Sequence, residues 1–312
     1  MKMIKIERKD VRKRIDKFLK KGIFFDDKIT RGEIIRNIKS GNVLVNGKEI
    51  KPSYILKEND KVEINIEEKN KKIATNKDIK LKIIFKNNYF VVVNKPAGLK
   101  VHPNNFNETD TLVNGLLSKF PEIENVGEEK LRPGIVHRLD KDTSGLMVVA
   151  RNQKTFEELK KKFQDREVEK KYLAIVYGHL ENKEGKIEAP IARAMNYKKQ
   201  KIAQGRVRGK IRPAVTLYKV LKNLGKFDLV EAQPKTGRMH QIRVHLASIG
   251  HPVVGDEKYK RKEFKDLPSA KRQMLHAKEL KFNLEGKEYN FSAEPPADFA
   301  EFLKKVSLTK SK

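Results

Sequence analysis

The sequence predicts an α+β fold: a large domain on a mixed, mostly antiparallel sheet, preceded by a small module of two helices and a hairpin. Two observations carry this. Short apolar runs rich in β-branched and aromatic residues recur at 81–85, 89–94, 146–150, 170–178, 214–221 and 227–232, with only a few helical periods between them. Strands joined by so few helices fit a mixed, mostly antiparallel sheet better than repeated βαβ crossovers. The first 66 residues keep a different rhythm, two basic helices and then a hairpin signal. A chain of 312 residues has room for both parts. The boundaries read as 1–68 for the module, 69–79 for a flexible hydrophilic linker, 80–307 for the large domain and 308–312 for a basic tail.

Lys and Arg number 70 against 41 Asp and Glu, a formal charge of +29 to which both parts contribute. An excess of this size favours a polyanion, most simply nucleic acid, through counterion release, over a merely solubilising surface. The absence of Cys excludes a disulfide framework or a thiolate metal site. No His pair has metal-ligand spacing, and His240, His245 and His251 read as satisfied structural histidines. There is no signal-peptide apolar region and no apolar run of membrane length. The chain is expected to be soluble and cytoplasmic, and to be a monomer.

In the module, Val11, Ile15, Phe18 and Leu19 repeat at helical spacing, with basic residues on the other faces. A second helix starts near Thr30, capped with Glu33, carries Ile34, Ile35 and Ile38 inward, and stops at Gly41. Arg31, Arg36 and Lys39 then face outward. Val43 to Val45 has strand character, Asn46-Gly47 is a tight-turn signal, and residues 61–66 alternate as a closing strand.

In the large domain, residues 81–85 and 89–94 read as a hairpin, 111–120 as an amphipathic helix, and Phe156, Leu159 and Phe163 mark another helix. Residues 193–212 are basic and poor in apolar side chains, which suggests a surface excursion. A helix opening at residues 235–238 places Met239, Ile242, Leu246 and Ile249 on its inner stripe, with Gly250 as its stop. Residues 275–277 read as a helix end, 280–284 and 289–291 as a hairpin, and 298–306 as a terminal helix.

Residues 131–151, L-R-P-G-I-V-H-R-L-D-K-D-T-S-G-L-M-V-V-A-R, set a charged loop between apolar runs that look like buried strands. Charges so near a core cost roughly several kcal/mol each unless paired, so they call for a task. Thr143 and Ser144 read as loop-shaping hydroxyls and His137 as structural. No G-x-S-x-G surrounds Ser144, which argues against a serine hydrolase.

That stretch, with N-K-P-A-G-L-K-V-H-P before it and K-K-Y-L-A-I-V-Y-G, T-G-R-M-H-Q-I-R-V-H-L and L-H-A-K-E-L-K-F after it, resembles the RluA-type pseudouridine synthases over residues 81–302. The first part, R-I-D-K-F-L, T-R-G-E-I-I-R-N-I-K-S-G-N-V-L-V-N-G-K-E-I-K-P-S-Y and E-N-D-K-V-E-I, resembles the S4-like alpha-L RNA-binding module. Together they look like the branch that modifies large-subunit ribosomal RNA. The resemblance implies isomerisation of uridine to pseudouridine without cofactor or metal. It implies Asp140 as the catalytic carboxylate, by covalent attack or by proton removal at C2′. Arg243, rather than Arg238, would be its basic partner, and Tyr172 the ring that stacks on the base. Arg138 would fill the space left by a flipped nucleotide, and Arg31, Arg36, Lys39 and Lys48 would lie on RNA phosphates. The competing reading is a non-catalytic RNA-binding or ribosome-assembly factor on the same fold.

Overall fold

The computed structural model describes residues 2–21, 31–65, 72–195 and 199–308. It divides into two compact units, Met1–Lys71 and Lys72–Lys312.

In the first unit, β1 (Lys2–Lys5) precedes helices α1 (Ile15–Lys21) and α2 (Arg31–Lys39), a hairpin of β2 (Val43–Val45) and β3 (Lys48–Glu49), and β4 (Lys61–Ile64). The antiparallel sheet runs β1-β4-β2-β3. Asn46 and Gly47 have φ of 51° and 75°, the paired left-handed conformation that a two-residue hairpin turn requires. Ile15, Leu19, Ile34 and Ile38 bury with Val43, Val45 and Val62 in one core. The first helix begins at Ile15, not Val11. Arg12 sits at φ 68° and donates its N–H to Leu56, and the Ile15 N–H goes to Tyr54, so tertiary pairing overrides helical spacing there. Strand β1 was not foreseen, because its exposed Lys and Met residues hide the strand pattern; it is a charged edge strand. The Thr30 cap lies outside the described residues.

The second unit begins with β5 (Lys82–Lys86), β6 (Phe90–Lys95), α3 (Leu112–Lys119), β7 (Ser144–Ala150), α4 (Gln153–Asp165) and β8 (Glu169–Tyr177). There follow β9 (Glu184–Glu188), β10 (Ile191–Arg193), β11 (Gln200–Ile202), β12 (Arg208–Arg212), β13 (Val215–Leu224) and β14 (Phe227–Pro234). Last come α5 (Gln241–Ser248), β15 (Leu275–Leu284), β16 (Lys287–Ser292) and α6 (Ala297–Leu308). The main sheet runs β5-β6-β7-β15-β8-β14-β13-β9, with β16 paired to β15. Among the described residues its one parallel pairing is β7 with β15. The α+β class with a mixed, mostly antiparallel sheet is as the sequence predicts.

Several elements differ from expectation. Residues 275–277 open the long strand β15 rather than end a helix; a short apolar run does not distinguish the two. Ile135 makes a single bridge to Val149 and no strand, since Gly134, at φ 69°, turns the chain away. The helix after Thr236 starts only at Gln241, and Met239 and Ile249 are exposed. Residues 241–246 are all buried, because α5 is packed against β11, β13 and β14. The excursion at 193–212 contains β11 and β12, which flank β10 in a three-stranded sheet. From Lys72 the supposed linker packs onto the large unit: Ile73 is buried in its core, and Asn114 holds the Ala74 carbonyl at 2.7 Å. Residues 69–71 and 309–312 lie outside the described residues.

Candidate active site

The charged loop is held in place by its backbone. Strand β6 ends in Lys95, fully buried, whose ammonium donates to the carbonyls of Pro96, Leu99 and Lys141 at 2.8 to 2.9 Å. Burial lowers this amine to about 7 against the pull of Asp142 and Asp140. The Gly98 N–H also reaches the Lys141 carbonyl. On the other side, Arg272 donates to the Asp142 carbonyl, Gln273 to the Thr143 hydroxyl, and Ser144 pairs with His276. Gly145 lets β7 approach β15: a Cβ there would lie 2.3 Å from the Ala277 carbonyl oxygen. His137 is structural in this geometry. Its Nε2 accepts the Val148 N–H and its ring stacks on Phe163 at 4.5 Å, and burial lowers it to about 3.

Asp140 emerges from this loop into a cleft of about 940 Å³, which Arg138, Tyr172 and Arg243 also line. Arg243, only 4% exposed, donates from Nη1 to Asp140 Oδ2 at 2.7 Å. Its remaining fork, Nε and Nη2, grips the buried Asp256 at 2.6 and 2.8 Å. Burial alone would weaken the guanidinium's hold on its proton; Asp256 and then Asp140 more than reverse this and raise it. Asp256 is fixed in turn by the N–H groups of Lys258 and Tyr259. Arg238, the other arginine of the motif, bonds the Pro213 carbonyl instead. Gln241 caps the turn before α5 by accepting from Thr236 and from the Arg238 N–H, which is why the helix starts late.

Tyr172 is half-buried on β8, and burial followed by the charge of Asp140 raises its phenol well above the ordinary range. The ring therefore stays neutral. Arg138 is exposed at the cleft and touches His102 Nε2 at 3.2 Å. Further basic side chains, among them Lys170, Arg166, Arg193, Arg212 and Arg238, line the same cleft. Burial lowers Arg238, and the charges of Arg212 and Arg166 lower it further. Such an accumulation of like charge around a cleft suits an anion.

Sequence reasoning missed Asp256, Lys95, His240 and Tyr259. Lys95 stood in N-K-P-A-G and His240 beside Arg243, but only their contacts reveal their surroundings. Asp256 followed an apolar V-V-G with nothing to mark it. In the other unit, Arg36, Lys39 and Lys48 are exposed on α2 and β3, whereas Arg31 and Arg14 both clasp the fully buried Asp16. The Asp16 clasp occupies Nε and Nη2 of Arg31.

The sequence profile described as RNA pseudouridylate synthase matches residues 89–248, and that of the S4 domain matches residues 13–62. The chain belongs to the RNA pseudouridylate synthase family. It is 38% identical over 296 residues to an RNA pseudouridine synthase of Bacillus subtilis, covering 94% of each chain. It is 40% identical over 244 residues to the ribosomal large subunit pseudouridine synthase D of Zymomonas mobilis, covering 74% of each. The protein of that name from Borreliella burgdorferi is 37% identical over 282 residues, 88% of this chain and 84% of its own. Among solved structures, human RNA pseudouridylate synthase domain containing 1 superposes with a TM-score of 0.57 at 30% identity, over 70% of this chain and 84% of its own. The chain is therefore an RNA pseudouridine synthase, an isomerase acting on uridine in RNA, rather than a non-catalytic factor on the same fold.

No helix among the described residues is long and apolar enough to cross a membrane.

Proposed function

We propose that this enzyme converts specific uridines of large-subunit ribosomal RNA to pseudouridine, with Asp140 as the reacting carboxylate. The observation that carries the assignment is the 2.7 Å contact of Arg243 with Asp140 in a cleft lined by cations. The relatives named for the ribosomal large subunit support that RNA as substrate. A ribosomal substrate fits a monomer working in the cytoplasm.

The reaction breaks N1–C1′, turns the uracil and forms C5–C1′; C5 loses a proton and N1 gains one, so composition is unchanged. A carboxylate serves either by bonding to C1′ as the N1–C1′ pair leaves on the base, or by taking the C2′ proton. Both need a charged oxygen in a cleft shielded from water, and the Arg243 cation offsets the cost of keeping that charge there. Tyr172 offers a neutral ring for the base to stack on. A uridine inside a helix reaches Asp140 only when flipped out, and Arg138, exposed at the cleft, enters the vacated space. In the N-terminal unit, Arg36, Lys39, Lys48 and Arg31 contact phosphates and position the RNA.

Mapping pseudouridines in ribosomal RNA from cells with and without this protein tests the substrate. Loss of one or more sites from large-subunit RNA is expected. An unchanged large-subunit pattern, with a site missing from another RNA, would move the substrate elsewhere.

A further inference from the structure

Beside Arg243 a second side chain addresses Asp140. His240 immediately precedes α5, nearly buried, with Nε2 3.9 Å from Asp140 Oδ2. Its backbone is left-handed, at φ 57° and ψ 17°, a conformation few non-glycine residues adopt and one that concentrates at functional sites. On its far side, Nδ1 lies 2.8 Å from the Tyr259 hydroxyl, and that oxygen accepts the Gln200 N–H at 2.9 Å. A backbone N–H only donates, so the phenol oxygen is an acceptor toward Gln200. Among the described residues the phenol has no hydrogen-bond partners besides these two, and His240 Nδ1 is the protein acceptor in line for its proton. The imidazole proton is then on Nε2, facing the carboxylate. The opposite tautomer would aim an imidazole lone pair at the carboxylate oxygen Oδ2.

Both members of the pair are neutral. Burial lowers His240 to about 4, although Asp140 pulls it up and Arg243 and Lys258 push it down, and burial raises Tyr259 to about 12. Arg243 bonds Oδ2 at 2.7 Å and His240 faces the same oxygen at 3.9 Å, beyond direct hydrogen-bond length, whereas Oδ1 has no hydrogen bond among the described residues. We propose that His240 is a positioning residue for the reaction: held by Tyr259 with its proton on Nε2, it faces the Oδ2 edge of Asp140 across 3.9 Å and closes to a second, uncharged donor when substrate is bound, turning Oδ1 toward the ribose. A neutral donor does this without a second cation beside Arg243. The inference rests on Asp140 being the reacting carboxylate, where Oδ1 either bonds C1′ as the electron pair departs with N1, or takes the C2′ proton.

The test uses the full-length protein and a ribosomal RNA fragment carrying the modified site. Nitrogen-15 correlation spectra of histidine-labelled wild type read the tautomer directly; a proton on Nε2 of His240 is expected, and one on Nδ1 overturns the proposal. His240→Ala is expected to slow single-turnover pseudouridine formation by about 10-fold, the scale of a hydrogen bond to a charged group. RNA affinity should stay within about twofold, since the contact is to Asp140 and not to the RNA chain. His240→Gln, whose amide reaches the Nε2 position, should recover most of the rate. His240→Asn suits a left-handed backbone better but reaches only the Nδ1 position, and should not. Equal recovery by Asn, or an undiminished rate in the Ala variant, would sink the inference and leave the Asp140 assignment standing, because that assignment is tested at Asp140 itself.

Discussion

Arg243 donates from one edge to Asp140 and from the other two positions of its fork to Asp256, so its direction is set by a buried residue that does not line the cleft. Removing one partner of a buried pair leaves the other uncompensated and free to reorient. Asp256→Asn is therefore expected to slow single-turnover catalysis by about 100-fold, the scale of a small misplacement of a reacting group, with RNA affinity near wild type. A rate within twofold of wild type would show that Arg243 needs no such support. Asp140, Tyr172 and Arg243, singled out in the sequence by their places in the motifs, line one cleft. Asp256 and Tyr259 were not singled out, since each is distinguished only by the distant group it touches. His137 illustrates the reverse case, a conspicuous residue in the motif whose contacts are with a backbone N–H and a phenylalanine ring. Its imidazole is held below its ordinary pKa of about 6.5, to about 3, so the unfolded chain takes up the proton more readily than the folded one. The stability it contributes is present above about 6.5 and is lost as pH falls toward 3. Chemical denaturation across that range should show a pH-dependent loss in wild type that His137→Gln reduces; parallel curves would contradict this.

At the scale of elements, the site is made where β7 meets β15. Ser144 and Gly145 pair with His276 and Ala277, and the loop carrying Asp140 enters β7 directly at this point. Gly145 has φ 122°, and an added Cβ would sit 2.3 to 2.7 Å from the Ala277 backbone. Gly145→Ala is expected to destabilise the protein by about 3 kcal/mol or more, through strain and forced separation of the strands. Denaturant unfolding measures this, and a loss under about 1 kcal/mol would mean that the strands part easily. Strand runs with clear alternation or β-branched residues, such as β6 and β14, were legible, as were α3 and α4 from their apolar stripes. The start of α5 was not, because Gln241 rather than a conventional capping residue satisfies the turn before it. Nor was β15, whose first three residues carry no period long enough to separate strand from helix.

For the whole molecule, the excess of 70 basic over 41 acidic residues has a spatial expression in each unit. One has exposed cations on α2 and β3, and the other a cation-lined cleft around Asp140. Replacing Arg36, Lys39 and Lys48 together with Ala should weaken RNA binding and flatten the slope of log affinity against log salt by about 0.7 to 0.9 for each phosphate no longer neutralised. An unchanged slope would remove these side chains from the interface. The two-part organisation was legible from the change of rhythm near residue 66, but Ile73 shows why the linker was not. One isolated apolar residue in a polar stretch gives no period, yet the core of the large unit buries it. The central claim is that Asp140 performs the chemistry while other residues hold the RNA. Single-turnover pseudouridine formation by Asp140→Asn, with RNA binding measured alongside, tests it most directly. The account predicts no detectable product and nearly unchanged affinity; turnover at the wild-type rate would contradict it.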